Sequence, residues 1–364
     1  MNGLQLVLAI IAGLALACAQ DVCACTSAVV SGRASRDGRS LLWKHRDSGF
    51  KDNFVGKVEA TDSTMAYVAL FNAGDKDLAE AWIGFNEAGF AVMNTASYNL
   101  APDTAVVKDR EGMVMSRALS RCRTVDDFLV ILDSEMERGR PAGIQANFGV
   151  TDTYGNCVYV EASDHNYKVY PIEEYGRGWM VRSNYSYSGT TGKRLGEVRH
   201  DNAVHLIEES IVSGLSAETF TEGLSRSFYH DGENKDIINC KEYKRVSDRG
   251  EYIPRRSSCA SVVVEGALDG EDPRSGTVMW VAIGSPVVSV ALPVTIDSIP
   301  ERLQKDASTG RSRLCDEVNR RRDLAFPRKG KDGKWIIDMD YIRGVLPQLK
   351  SESASSYRGF QRKK

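Results

Sequence analysis

Two apolar, β-branched runs, Cys25-Thr26-Ser27-Ala28-Val29-Val30-Ser31-Gly32 and Ser40-Leu41-Leu42-Trp43-Lys44-His45-Arg46-Asp47, are joined by a polar segment. This pattern predicts two antiparallel strands connected by a loop. A loop over residues 34–37 would bring the Lys44–Asp47 segment beside Cys25, and a tighter turn at Asp37-Gly38 would shift the pairing by several residues. In both cases the sequence predicts a thiol at the start of a strand, next to a charged segment.

The residues before Cys25 have the pattern of an export signal. Residues 4–17 are almost wholly apolar and are followed by small residues, and the run is short for a membrane span. A cut after Ala24 would free Cys25, and a cut after Ala19 would free Gln20. A lipoprotein signal at Cys18 is less favoured, because Ala15 stands where leucine is usual. We therefore expect residues 1–24 to form a signal peptide and short propeptide, and the protein to be exported to the periplasm or secreted.

A cysteine at a new N-terminus carries its own base. An α-amino group has an ordinary pKa of about 8 and can accept a thiol proton near neutral pH, so no separate histidine is required. A cysteine buried in the middle of a strand is usually inert. The alternative interpretation is that Cys25 is merely the first cysteine of a secreted domain.

Composition sets the class of the protein. The chain has 364 residues, a net charge of −2, 42% hydrophobic residues and 26% charged residues. These values are typical of a globular protein, and the charge balance does not favour nucleic acid as a partner. We expect one domain over residues 25–350, no stable membrane span, and a basic, flexible tail over residues 351–364. Homo-oligomerisation is left open.

The cysteines and histidines do not form a metal-binding pattern. The chain has eight cysteines and five histidines, without paired C-x-x-C motifs or mixed clusters. We therefore expect neither a metal nor a cofactor. If Cys25 is a nucleophile after a cut at Ala24, the other five cysteines cannot all pair, so the sequence allows one or two disulfides without identifying them.

Two asparagines are predicted to lie at strand ends. Trp82–Thr95 reads as a hairpin whose second strand carries Asn94, and Asn147–Glu161 reads as another hairpin. Trp179–Tyr185 is an apolar strand that ends near Asn184. Taken alone, an asparagine at a strand end is more often a turn former than a catalytic hydrogen-bond donor.

The remaining segments alternate between helical and strand patterns. Helices are predicted over Glu111–Arg138, with Thr124 as an internal N-cap, and over Leu195–Phe228, in two parts separated near Gly214. A further helix is predicted over Glu301–Asp323. Strands are predicted over Arg255–Gly266 and Thr277–Val294. Helices segregated from antiparallel strands predict an α+β layered fold. The sequence has no glycine-rich phosphate loop and no strand–Ser–helix elbow, which argues against nucleotide-binding and α/β-hydrolase folds.

Taken together, these motifs resemble the N-terminal nucleophile hydrolases. The resemblance rests on the Cys25-Thr26 opening, the Asp37-Gly38 loop, Lys44–Asp47, Gly84–Gly89 leading to Asn94, and Phe148–Glu161 leading to Asn184. The chain is most similar to the linear-amide branch, which holds choloylglycine hydrolases, penicillin V acylases, acid ceramidase-like amidases and the penicillin acyltransferase. This resemblance implies a four-layer αββα sandwich of antiparallel sheets flanked by helices.

The resemblance also implies roles for individual residues. Cys25 matches the processed nucleophile and Asp47 the aspartate that positions it. Asn94 and Asn184 match the two oxyanion donors, one through its backbone and one through its side chain. Lys44 replaces a substrate-side arginine of the bile-salt and penicillin enzymes, which exchanges a bidentate fork for a point charge. Arg255 resembles a late arginine of the site, with Arg256 as an alternative.

The implied function is hydrolysis of a linear amide in a small N-acyl substrate through an acyl-enzyme. Three alternatives remain open: a related dipeptidase that needs a free amine on its substrate, an acyltransferase that passes the acyl group to another amine, and an inactive exported binding protein with the same fold.

Overall fold

The fold is built around two antiparallel sheets. The computed structural model describes residues 24–102, 104–137, 141–175 and 177–362. The predicted signal segment therefore lies, except for Ala24, outside the described residues. The first sheet has six strands and the second has seven.

The strands of the first sheet come from distant parts of the chain. They are β1 Thr26–Val30, β2 Leu41–Asp47, β10 Trp179–Arg182, β14 Ser258–Glu265, β15 Val278–Ile283 and β16 Leu292–Val294. Their spatial order is β10-β1-β2-β14-β15-β16. The predicted hairpin of β1 and β2 is present, with Thr26 opposite His45 and Val30 opposite Leu41. The loop between them is longer than the four-residue loop considered from sequence.

The second sheet is a meander in which each strand pairs with the next along the chain. Its strands are β3 Asn53–Val58, β4 Tyr67–Asn72, β5 Ile83–Asn86, β6 Ala91–Ala96, β7 Ala146–Thr151, β8 Cys157–Ala162 and β9 Tyr167–Pro171. Four short strands form two small ribbons: β11 Tyr229–His230 with β12 Lys235–Asp236, and β13 Arg245–Ser247 with β17 Ile336–Asp338.

The alternation of side chains along β1 and β2 sets two different environments. Val29 and Leu42 pack in an apolar core with residues of the second sheet such as Val68 and Met93. Their neighbours Val30 and Trp43 point to the opposite face and pack with residues of helical segments. Because side chains alternate between faces of a strand, Lys44 shares the inter-sheet face with Leu42, and His45 shares the opposite face with Trp43.

Helices pack against the two sheets. They are α1 Glu111–Arg121, α2 Val125–Met136, α3 Glu197–Ser210, the short α4 Pro273–Gly276, α5 Arg313–Ala325 and α6 Met339–Gly359. Helices α1 and α2 bury their apolar faces on the second sheet, whereas α3 packs on the first. The arrangement is therefore helix, sheet, sheet, helix, which confirms the predicted α+β class and αββα layering.

Some helix boundaries match the sequence predictions and others differ. The helical segment that starts at Glu111 is two helices, and Thr124 is the N-cap of the second, as predicted, through a capping box with Asp127. The second helix expected before Phe228 is present as a π-helix over Thr219–Gly223 that continues as a 3-10 helix over Leu224–Arg226. The helix predicted from Glu301 starts only at Arg313, because Asp306 accepts backbone N–H groups from Ser308 and Thr309 and forms a loop instead.

The segment predicted as a flexible tail, residues 351–364, is helical for most of its length. Helix α6 continues to Gly359, and its last turns pack on the first sheet. Tyr357 stacks on Trp280 with ring centroids 4.0 Å apart, and Phe360 meets the same indole edge-on. The aromatic residues among the charged ones hold this segment in place. Among the described residues, no helix combines the length and apolar character that crossing a membrane requires.

Candidate active site

Cys25 lies immediately before β1, at the end of the first sheet where β2 finishes. The register that places Thr26 opposite His45 brings Cys25 beside the Arg46-Asp47 end of β2. Cys25 is 6% exposed, and its Sγ lies 3.9 Å from the backbone oxygen of Asp47. The structure thus has the end of β2 beside Cys25, as the predicted hairpin required.

The Asp47 carboxylate is held at both oxygens. Ser258 Oγ donates to Asp47 Oδ1 at 2.6 Å, and Arg255 Nη2 donates to Asp47 Oδ2 at 2.5 Å. Ser258 lies opposite Asp47 in the β2–β14 ladder, where a register shift between Ser258 and Ala260 marks a bulge. Bulges re-aim side chains near functional sites, and this one lets Ser258 reach the carboxylate.

His45 extends this network into the protein interior. Its Nε2 lies 2.8 Å from Ser258 Oγ. Because the Ser258 hydroxyl donates its only proton to Asp47, Nε2 of His45 must be the donor to Ser258. Burial, with a further contribution from the positive charges of Arg255 and Arg199, lowers the pKa of His45 to about 4. The imidazole is therefore neutral at pH 7 and serves as a structural donor.

Arg255 and Arg256, which the sequence left as alternatives, point to different places. Arg255 Nη2 donates to Asp47 and also to the backbone oxygen of Ala24 at 2.6 Å. Burial alone would lower the pKa of Arg255, but the Asp47 carboxylate outweighs burial and raises it. Arg256 instead pairs with Asp323 and stacks over the ring of Trp335. Of the two arginines, Arg255 contacts the site.

Lys44 is buried rather than presented to solvent. It is 1% exposed, and its Nζ donates to Asn94 Oδ1 at 2.6 Å and to the backbone oxygen of Trp82 at 2.8 Å. The predicted substrate-binding residue therefore holds the predicted oxyanion residue across the gap between the sheets. Only an oxygen can accept from an ammonium group, so the orientation of the Asn94 amide is defined.

Asn184 follows β10 and is held in the same way by a residue that sequence reasoning missed. Arg199 Nη2 donates to Asn184 Oδ1 at 2.8 Å, and Asn184 Nδ2 donates to the backbone oxygen of Ala96 at 2.9 Å. Arg199 precedes Ala203 and Ile207 on the buried stripe of α3. An arginine on the apolar stripe of a helix was the sequence signal that could have identified it.

A cleft of about 880 Å³ opens beside these residues. Asn94 and Arg46 are part of its wall, together with the aromatic residues Phe50, Trp82 and Tyr98. Charged residues also line the cleft; the acidic ones are Asp75, Glu80, Asp109 and Glu111, and the basic ones are Arg46 and Lys108. The cleft is large enough for a small organic substrate.

The other described cysteines do not suggest a second chemistry. Cys122, Cys157 and Cys315 are buried free thiols, and Cys240 is a partly buried one. Burial raises the pKa of the Cys122, Cys157 and Cys315 thiols to about 12, which makes these three thiols poor nucleophiles. Within the described ranges, no group of three or more His, Cys, Asp or Glu side chains is arranged to hold a metal ion.

No family model matches the chain, and no curated protein matches it in sequence. The chain does match solved structures. One is an N-acylethanolamine-hydrolyzing acid amidase ortholog from Caenorhabditis elegans, at 14% identity over 65% of this chain and 91% of that chain, with a TM-score of 0.44.

Two further structures match over a longer part of the chain. A variant of the conjugated bile acid hydrolase from Clostridium perfringens matches at 10% identity over 76% of this chain and 93% of that chain, with a TM-score of 0.45. The penicillin V acylase from Agrobacterium tumefaciens matches at 11% identity over 76% of this chain and 87% of that chain, with a TM-score of 0.39. The structures that the chain is similar to thus include members of the group that its sequence motifs resemble.

Proposed function

We propose that the protein is an amide hydrolase in which Cys25, freed as an N-terminal residue, is the nucleophile. The observation that carries the proposal is the convergence of three separated segments on Cys25. Asp47 from β2 and Arg199 from α3 contact Cys25, and Arg255 from the loop before β14 contacts Asp47. Arg46, which precedes Asp47, and Asn94 line the cleft.

In the proposed reaction, the α-amino group of Cys25 accepts the thiol proton and the thiolate attacks the substrate carbonyl carbon. Asn94 and Asn184 donate to the oxyanion, and the ammonium group protonates the leaving amine as the C–N bond breaks. Water then attacks the thioester, which releases the acyl group as a carboxylate and restores the thiol. The sequence predicted no cofactor, and these steps require none.

This reaction requires that the bond between Ala24 and Cys25 be cut, because an amide nitrogen is not a base. One contact supports self-cleavage by Cys25. Arg255 Nη2 donates to the oxygen of Ala24 at 2.6 Å, which is the atom that would become negative if Cys25 attacked this carbonyl. The thiol proton would pass to the departing nitrogen, and water would hydrolyse the resulting thioester. The upstream segment would leave as a carboxylate, and Cys25 would keep its α-amino group.

The charges of the cleft favour one alternative, a substrate with a free amine. Asp75, Glu80 and Asp109 line the cleft, and burial, together with the charges of Asp75 and Asp109, raises the pKa of Glu80. A cationic group would relieve this mutual repulsion. The dipeptidase interpretation therefore remains the second candidate, and the two differ only in the substrate that they accept.

The test begins with the mass and N-terminal sequence of the purified exported chain, compared for wild type, Cys25→Ala and the control Cys240→Ser. We expect wild type and Cys240→Ser to begin at Cys25 and Cys25→Ala to remain longer. The mature chain is then assayed against paired substrates that share a scissile amide and differ in a blocked or free amine. A wild-type chain that stably begins upstream and cleaves neither substrate would support the binding-protein alternative instead.

A further inference from the structure

Arg199 is a fully buried cation that touches the nucleophile segment. It is 2% exposed. Its Nη1 donates to the backbone oxygen of Cys25 at 2.7 Å and to Thr26 Oγ1 at 2.8 Å, while its Nη2 donates to Asn184 Oδ1 at 2.8 Å. One guanidinium group therefore connects helix α3, the start of β1 and the segment after β10.

The partners of Arg199 are unusual for a buried charge. All three acceptors are neutral oxygens, and in the described part of the chain its guanidinium forms no ion pair with a carboxylate. Burying a charge without a carboxylate in direct contact is energetically costly. Burial, with the nearby charge of Arg255, lowers the pKa of Arg199 to about 9, so the group still carries its charge at pH 7. A charge held at this cost at the centre of a site needs a functional reason.

The backbone leaves room for Arg199 at one specific position. Gly196, which precedes α3, has a φ of +79°. A Cβ atom there would lie 2.2 Å from Arg199 Nη2, so any other residue would push the guanidinium from its place. Glycine is needed at this position for two reasons: it adopts the left-handed conformation without strain, and its lack of a Cβ atom leaves room for Arg199 to reach Asn184.

We propose that Arg199 is a positioning residue for acyl transfer, which locks the amide of Asn184 and the backbone of Cys25 in their reactive orientation and favours the Cys25 thiolate by its charge. The inference rests on the proposed function. Because the guanidinium can only donate, it forces Oδ1 of Asn184 toward α3 and turns Nδ2 away from it. Arg199 and Arg255 bracket the nucleophile, since they bond the backbone oxygens of Cys25 and Ala24 respectively.

Two substitutions separate geometry from charge. Arg199→Lys keeps the charge but loses the fork that reaches both Cys25 and Asn184. We expect kcat to fall about 100-fold with KM within about threefold of wild type, and the pH profile of Cys25 alkylation to stay unchanged. Arg199→Met removes the charge as well, and we expect its alkylation profile, followed by mass spectrometry with iodoacetamide, to move to higher pH by about half a unit or more.

A double-mutant cycle tests whether Arg199 acts through Asn184. In an Asn184→Ala background, we expect Arg199→Lys to reduce kcat by less than about threefold, because the amide that it orients is gone. Additive losses in this cycle would overturn the proposal. So would folded, matured Arg199→Lys and Arg199→Met chains with wild-type kcat and wild-type alkylation profiles.

Gly196→Ala tests the same proposal without replacing Arg199, and it can be used if Arg199→Met does not fold. Its matched control is Gly270→Ala, because Gly270 has the same φ of +79° and a Cβ there meets no described atom within 4 Å. We expect kcat to fall at least tenfold in Gly196→Ala and to stay near wild type in Gly270→Ala; equal kcat in the two would overturn the proposal. If wild type cleaves no amide, the proposed function fails, whereas the alkylation profiles still decide the role of Arg199.

Discussion

The ammonium group of Lys44 donates a hydrogen bond of 2.6 Å to the side-chain oxygen of Asn94, across the interface between the two sheets. Lys44 belongs to β2 of the first sheet and Asn94 to β6 of the second. This bond fixes the Asn94 amide and couples the relative position of the two sheets to the geometry of the site.

From this bond we expect Lys44→Met to reduce kcat about 100-fold, because the Asn94 amide loses its donor and can rotate. KM should stay within about threefold, since Lys44 is buried and does not reach the open cleft. The measurement is steady-state kinetics on the mature chain. Lys57→Met, on the edge strand β3, is the control and should keep wild-type kcat. A rise in KM with unchanged kcat would show instead that Lys44 binds the substrate.

Arg255 and Arg256 offer a matched pair for maturation. We expect Arg255→Gln to slow cleavage before Cys25 by about 100-fold or more, because the Ala24 carbonyl loses its charged donor and Asp47 loses its partner. Arg256→Gln, which removes an outward ion pair with Asp323, should mature normally. The ratio of precursor to mature chain over time, measured by intact mass, checks both. Normal maturation of Arg255→Gln would show that Arg255 is not needed for the cut.

His45 should make stability depend on pH. Its pKa of about 4 in the folded state lies below the ordinary value of 6.5, so between these values the unfolded chain binds more protons than the folded one. Stability is therefore full above about pH 6.5 and falls as pH drops toward 4, by on the order of 3 kcal/mol. Urea unfolding from pH 4 to 7 measures this slope.

The His45→Gln variant isolates that contribution. A glutamine amide can still donate to Ser258 but does not titrate, so we expect much of the slope between pH 4 and 6.5 to disappear. The control is His205→Gln, which removes a partly exposed histidine and tests whether the loss of any histidine changes the slope. Identical slopes in wild type and His45→Gln would contradict the assignment of the pH dependence to His45.

The end of α6 should contribute to stability. Tyr357 Oη lies 2.6 Å from Thr221 Oγ1, its ring stacks on Trp280, and Ser353 Oγ accepts from the backbone N–H of Ala291 at 3.1 Å. We expect a chain that ends at Lys350 to lose about 3 kcal/mol or more of unfolding free energy, because buried aromatic contacts are removed.

A chain that ends at Arg362 is the control for this truncation and should match the full chain in urea unfolding. If the chain ending at Lys350 is as stable as the full chain, residues 351–362 are the flexible tail that the sequence predicted.

The strands and the position of Cys25 followed from the sequence because their signals are local. Alternating apolar residues around a polar turn define the β1–β2 hairpin, and the pairing of Thr26 with His45 places Asp47 near Cys25 without further information. The asparagines at positions 94 and 184 were also visible, since each stands near the end of an apolar strand. The order of these segments was enough to predict an α+β layered fold, whereas the two sheets between helices were implied by the resemblance to the N-terminal nucleophile hydrolases.

Helix boundaries were less predictable, because side-chain oxygens compete with the helix for hydrogen bonds from backbone N–H groups. Residues 301–312 have a helical pattern, but the Asp306 carboxylate accepts hydrogen bonds from nearby backbone N–H groups. These groups are then not available to a helix, which begins only at Arg313. The basic composition of residues 351–364 suggested a solvated tail, yet Tyr357 and Phe360 find Trp280 on a strand far away in sequence.

The sequence by itself determined the hairpin that presents Cys25, the antiparallel strands and the candidate nucleophile, because these depend on residues close together in the chain. Only the tertiary structure decided which cations hold the site. Arg199 bonds Cys25 from 174 positions away, Arg255 bonds Asp47 from 208, and Lys44 reaches Asn94 on the other sheet. Contacts at such separations leave no periodic signal in the sequence, since they arise only when the sheets and helices pack together and bury these charges.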